Sequence, residues 1–157
     1  MDVAWFRDAM SRLAAAVVVV AARTPDGFRG LTASTFIGVS LEPPLVLVAL
    51  DSLSATRDAM VEAKAFNISV LNRAQEFIAE RLAGRAPALE ASWREVPHRL
   101  GDNGAPIVEG CAAWFECRLV DTHPTGDHDI FVGEVTVAGS GTGDPLILWD
   151  RRFWTVR

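Results

Sequence analysis

The chain contains no tyrosine, two cysteines and three histidines among 157 residues. No apolar run is long enough to span a bilayer. The longest, Ala14–Ala22, falls well short of the roughly 20 residues that a crossing helix needs. Asp2, Trp5 and Asp8 precede it and no small-residue cleavage site follows, so it does not read as a signal peptide, and a cytoplasmic location is expected. Basic clusters are also missing. The net charge is −5 and the sequence pI is near 5.1. Nucleic-acid binding rests on phosphate neutralisation by Lys and Arg, and attraction to anionic membranes needs the same groups, so both partners are set aside.

The cysteines are Cys111 and Cys117, in what reads as one strand. At about 3.3 Å per residue they stand roughly 20 Å apart, beyond the reach of a disulfide. Two thiols without companion histidines make a poor metal site, so none is expected, and both read as small core residues of a reduced protein. No Ser-His-Asp order, Cys-His pairing or P-loop is present. Gly139-Ser-Gly141-Thr-Gly143 has the look of a dinucleotide loop, but Asp144-Pro145 follows it where a helix is required, and it reads as a loose loop.

What the chain does have is apolar content, half of all residues, enough for one domain over 1–157 with its own core. Phe6, Met10 and Leu13 recur at helical spacing within Trp5–Leu13. Val-rich Ala15–Ala22 reads as a buried strand, Pro25-Asp26-Gly27 as a turn, and Arg29–Phe36 as a second strand. Pro43-Pro44 interrupts the chain before a third strand at Leu45–Leu50. Ser54 caps a helix over Ala55–Ala63. Phe66–Leu71 is a strand, and Asn72 with Gln75 forms a capping box for a helix reaching Leu82. Residues 83–109 are rich in Ala, Gly and Pro and read as a long loop or lid. Ala112–Val120 alternates Phe115, Cys117 and Leu119 against Trp114, Glu116 and Arg118, the pattern of a half-exposed strand. Asp129–Ala138 is its antiparallel partner across the 123–128 connection, and strands at Leu146–Trp149 and Phe153–Val156 close the chain. About seven strands with three short helices, and no strict alternation between them, predict a mainly β fold: an antiparallel barrel or Greek key.

Three stretches carry candidate chemistry. In Gly30–Phe36, the hydroxyls of Thr32, Ser34 and Thr35 sit among small residues such as Ala33, with Ser40 beyond. Small side chains let a flat ligand approach backbone N–H groups, and hydroxyls add donors and acceptors; the same pattern also fits an ordinary Thr/Ser-rich strand. Asp51-Ser-Leu-Ser54-Ala-Thr56 opens a helix after a buried strand, where N–H groups and hydroxyls favour an anion, or where Ser54 acts only as a cap. His128, in Gly126-Asp-His128, stands at a strand mouth where it can meet a substrate or belong to a surface turn. His98 and His123 have no comparable setting.

Taken in order, these pieces resemble the flavin reductase-like family with the FMN-binding split-barrel fold. The resemblance covers nearly the whole chain. It begins with Phe6-Arg-Asp-Ala-Met10 and continues through Gly30–Phe36, Val39-Ser-Leu-Glu-Pro-Pro-Leu45 and Ser54-x-Thr56. Phe66-Asn-Ile-Ser-Val-Leu71, Trp114-Phe-Glu-Cys117 and Gly126-Asp-His128 complete it. It implies an NAD(P)H:flavin oxidoreductase that supplies reduced FMN or FAD to a partner monooxygenase, acting as a homodimer. It further implies that Thr32, Ala33, Ser34 and Thr35 line the isoalloxazine ring, with Ser40, Ser54 and Thr56 nearer the ribityl-phosphate. Asp51 would open the loop between them, Asn67 would lie beside the flavin, and His128 would stand at the nicotinamide side. Relatives commonly carry a tyrosine or other ring near the C-terminus; Trp149, Phe153 or Trp154 would serve here. Two other readings stay open: a module that retains a planar ligand without turnover, and an enzyme similar to pyridoxamine phosphate oxidase. No basic cluster suits the second phosphate of the latter.

Overall fold

The computed structural model describes residues 1–83 and 93–156. Helix α1 (Val3–Met10) opens the chain, with Asp2 accepting the Ala4 N–H as its cap. Strands β1 (Ala15–Ala16), β2 (Val18–Thr24), β3 (Gly27–Ala33), β4 (Ile37–Leu41) and β5 (Pro44–Asp51) follow. Helix α2 (Ala55–Ala63) leads into β6 (Ala65–Val70), a 3-10 turn (Arg73–Gln75) and helix α3 (Glu76–Arg81). Then come β7 (His98–Leu100), β8 (Pro106–Val108), and the long strands β9 (Ala113–Thr125) and β10 (His128–Ser140). Strands β11 (Leu146–Trp149) and β12 (Arg152–Thr155) form the last hairpin.

Seven strands build one sheet in the order β3-β2-β6-β9-β10-β5-β4, every pairing antiparallel. The fold is mainly β, an antiparallel barrel as its residue pattern predicts, and of the split-barrel type that the family resemblance implies. Inward-facing Val18, Val20, Val48, Phe66, Ile68 and Phe131 fill the interior, and Ala59 and Met60 of α2 pack against them. On the other face, Val17, Val19, Leu71, Ile78, Leu82 and Ile107 form a second core beneath α3, β8 and β11. Burial on both faces explains the unbroken Val run of β2, since neither side meets water. No helix among the described residues is long and apolar enough to cross a membrane.

The structure departs from the sequence reading in several places. The segment Ala15–Ala22 is two strands: β1 pairs with β11, whereas β2 belongs to the large sheet. An extra strand, β4, precedes Pro43-Pro44. Of the loop expected over 83–109, residues 84–92 lie outside the described set, but 98–108 form the antiparallel β7–β8 pair. This pair covers the side of β9 expected to face water, so Glu116 is buried and accepts the N–H of Asp102. Strands β9 and β10 run into the expected 123–128 connection, leaving Gly126-Asp127 as the turn. Strand β10 likewise extends through Ser140, so only the end of the glycine-rich stretch is loop.

Cys111 precedes β9 and Cys117 lies within it; both are free and buried. Burial pushes the Cys117 thiol up to about 12 and raises that of Cys111 as well. Thiolate is the reactive form, so at pH 8 neither residue should react quickly with a disulfide reagent. The folded protein is therefore expected to show no rapid thiol release, and denaturant to expose both groups. A fast native phase would contradict the packing described for these strands.

Candidate active site

Several of the candidate residues meet where β5 ends and β10 begins, beside the start of α2. Asp51 and His128 are direct partners across the β5–β10 ladder, which places opposing Cβ atoms about 4.5–5.5 Å apart. The backbone locks this junction: the Ser52 N–H donates to the Asp127 carbonyl at 3.0 Å, and the Ser54 N–H to the Asp51 carbonyl at 3.0 Å. Asp51 Oδ1 accepts the Leu53 N–H at 2.8 Å. Ser54 Oγ accepts the N–H groups of Thr56 and Arg57, capping α2 and leaving its own proton to donate. His128 Nδ1 lies 2.7 Å from Asp127 Oδ1, and that hydrogen bond holds the Asp127 carboxyl below its usual range. The contact orients the half-exposed ring so that Nε2 is the nitrogen a ligand would meet.

Thr35 brings the β3–β4 connection to this junction. Its Oγ1 donates to the Ala49 carbonyl at 2.7 Å and accepts the Ala49 N–H at 3.2 Å, continuing the edge of β5 beyond the Ile37–Leu47 pair. Ala33 and Ser34 lie partly exposed just before it.

Other expected residues stand apart from this junction. Thr32 Oγ1 donates to the Ala79 carbonyl at 2.7 Å, tying β3 to α3. Thr56 is buried beneath the start of α2. Asn67 is fully buried on β6 beneath the 101–105 loop, donating to the Ala105 carbonyl at 2.9 Å and accepting from Asn103 at 2.7 Å. Ser40 pairs with Leu45 at the far end of the β4–β5 hairpin. Within one chain this is roughly 20 Å along the strand from Asp51.

The structure adds three residues that sequence reasoning missed. Arg57 Nε donates to Asp129 Oδ2 at 2.6 Å, and Ser52 Oγ donates to Asp129 Oδ1 at 3.1 Å. The Arg57 bond, with help from Ser52, holds the Asp129 carboxyl below its usual range, and Asp129 in turn raises the guanidinium. One signal was available in the sequence: Asp129 shares the inward phase of Phe131 on an alternating strand.

Residues 10–157 match the model of the flavin reductase-like domain. The chain is 39% identical over 141 residues to the NADH-dependent FMN reductase SmoA of Agrobacterium fabrum, covering 90% of this chain and 79% of that protein. It is 37% identical over 152 residues to the reductase component of 4-hydroxyphenylacetate 3-monooxygenase from Thermus thermophilus, covering 94% and 93%. Among solved structures, the NADH:FAD oxidoreductase SgcE6 of Streptomyces globisporus superposes with a TM-score of 0.92 at 30% identity, over 99% of this chain and 94% of that one. The chain belongs to the flavin reductase-like family, and it is an NAD(P)H-dependent flavin reductase.

The donor set fits the flavin this family membership implies. Ala33 and Ser34 leave backbone accessible to a flat ring, and the Ser54 hydroxyl beside the α2 N-terminus suits a phosphate.

Proposed function

We propose that the junction of β5, β10 and α2 is where reduced nicotinamide meets a flavin, and that the reduced flavin passes to a partner monooxygenase. The observation that carries this is the Asp51–His128 pairing, held beside the capped start of α2. A bound FMN or FAD supplies the hydride acceptor. The protein's own residues bind and orient. Ala33, Ser34 and Thr35 flank the ring, Asp51, Ser54 and the first turn of α2 face the phosphate side, and His128 meets the nicotinamide. Thr32 and Thr56 frame these groups from behind, and Asn67 braces the sheet. Ser40 contributes from its distant hairpin end. Positioning supplies most of the rate in such a site, so no acid–base triad is needed.

The working unit is a homodimer. Helix α1 buries none of its residues within the chain, leaving Trp5 74% and Phe6 51% exposed, and edge strand β4 presents Ile37, Val39 and Leu41. Apolar surface of this kind is characteristic of an interface between copies. The enzyme works in the cytoplasm, where reduced nicotinamide is regenerated.

The test is oxidation of NADH and NADPH, followed by absorbance, with FMN, FAD or no flavin. Turnover that depends on flavin is expected, and the best pairing identifies donor and acceptor together. His128→Ala should raise KM for the nicotinamide roughly ten-fold, the order expected for loss of one strong hydrogen bond. Flavin KM should stay within about two-fold, because His128 faces the other ligand. An unchanged nicotinamide KM would show that His128 does not contact it.

A further inference from the structure

We propose that Asp129, clamped by Arg57 and Ser52, is a positioning residue that sets the direction of His128 toward the nicotinamide; this rests on the reading of His128 above. Asp129 is only 3% exposed and points inward at the end of the barrel, in phase with Phe131. A carboxylate at such a position is costly without partners. Here both oxygens have one: Arg57 Nε at 2.6 Å from helix α2, and Ser52 Oγ at 3.1 Å from the loop between β5 and α2. Arg57 is itself steadied by Asp58, 3.0 Å from its Nη1.

The arrangement has a directional consequence. Successive side chains of a strand point to opposite faces. Pinning Asp129 inward therefore turns His128 outward, onto the face it shares with Asp51. The clamp also joins the strand that carries His128 to the loop that runs from Asp51 to Ser54. Two ligands held by separate segments are thus kept at a fixed spacing, and misplacement near 1 Å costs on the order of a hundred-fold in such sites.

The experiment is a kinetic double-mutant cycle on the flavin-supplemented enzyme, comparing wild type, Asp129→Asn, His128→Ala and the double variant, with thermal melts of each. Asp129→Asn is expected to raise the nicotinamide KM about five-fold, with a smaller change in kcat, and to add less than two-fold once His128 is already alanine. An Asp129→Asn effect of equal size with and without His128 overturns the proposal, because a merely structural role does not depend on the imidazole. If His128→Ala leaves the nicotinamide KM unchanged, the reading of His128 fails and the clamp's role fails with it. If His128→Ala raises KM while Asp129→Asn does not, the clamp alone is refuted. Should Asp129→Asn not fold, Ser52→Ala removes one arm of the clamp and is read in the same cycle, with the same outcomes.

Discussion

Gly133→Ala is expected to destabilise the barrel by about 2–3 kcal/mol, near the upper end of what overpacking usually costs. Gly133 lies on β10 beside a register irregularity, and a Cβ there would stand 2.5 Å from Phe66 Cζ and 3.0 Å from Cys117 Cβ. The Phe66 ring is fully buried and reaches across β9 to lie over this glycine. Replacing glycine within a strand should by itself help by about 0.5–1 kcal/mol, since glycine loses more chain entropy on folding. The clash outweighs that gain because a ring enclosed on all sides has nowhere to move. Phe66→Leu opens the space, so the double variant should be more stable than the sum of the single effects by about 1–2 kcal/mol. Denaturant melts of the four proteins decide the matter, and strict additivity would mean that the glycine and the ring do not compete for the same volume.

Asn67→Ala is expected to cost about 2–3 kcal/mol while leaving flavin affinity of the folded protein within about two-fold. Its amide joins β6 to the 101–105 loop through the Ala105 carbonyl and the Asn103 side chain. Removal takes one of two donors from the buried Ala105 carbonyl, which keeps the Gly101 N–H, and leaves the half-buried Asn103 amide without its acceptor. Asn67→Asp should be worse, at about 3–5 kcal/mol, because it places a carboxylate against a carbonyl and opposite the buried Glu116. Urea melts report the stability and flavin titration the affinity. A weakened flavin complex with unchanged stability would make Asn67 a flavin contact instead.

Asn67 also marks where the sequence stops being legible. Alternation and β-propensity revealed β2, β5, β6, β9 and β10, because each buries a regular set of apolar side chains. They could not show that Glu116, in the polar phase of β9, is buried while Arg118 of the same phase stays exposed. Glu116 reads as a water-facing residue until the β7–β8 pair covers it, and that pair is too short and too rich in Gly and Pro to produce a period. The site divides in the same manner. Its small, hydroxylated segments are visible as composition, but the target of each hydroxyl is decided by distant chain. Thr32 reaches a carbonyl 47 positions away and Thr35 one 14 away. Arg57 and Asp129 are conspicuous charges, yet their pairing spans 72 positions and leaves no local trace.

That distance has a consequence for how activity appears and disappears. Ser52 meets Asp129, 77 positions further along the chain, and the β5–β10 ladder beside them is equally long-range. Chain closure on this scale is among the slow steps of β-rich folding, rewarded only after its entropy has been lost. No fragment ending before β10 can bring Asp51 and His128 together. With the site at this junction, a nascent chain is expected to be catalytically silent until nearly all of the barrel has emerged, and competence to arrive with the last central pairing of the sheet.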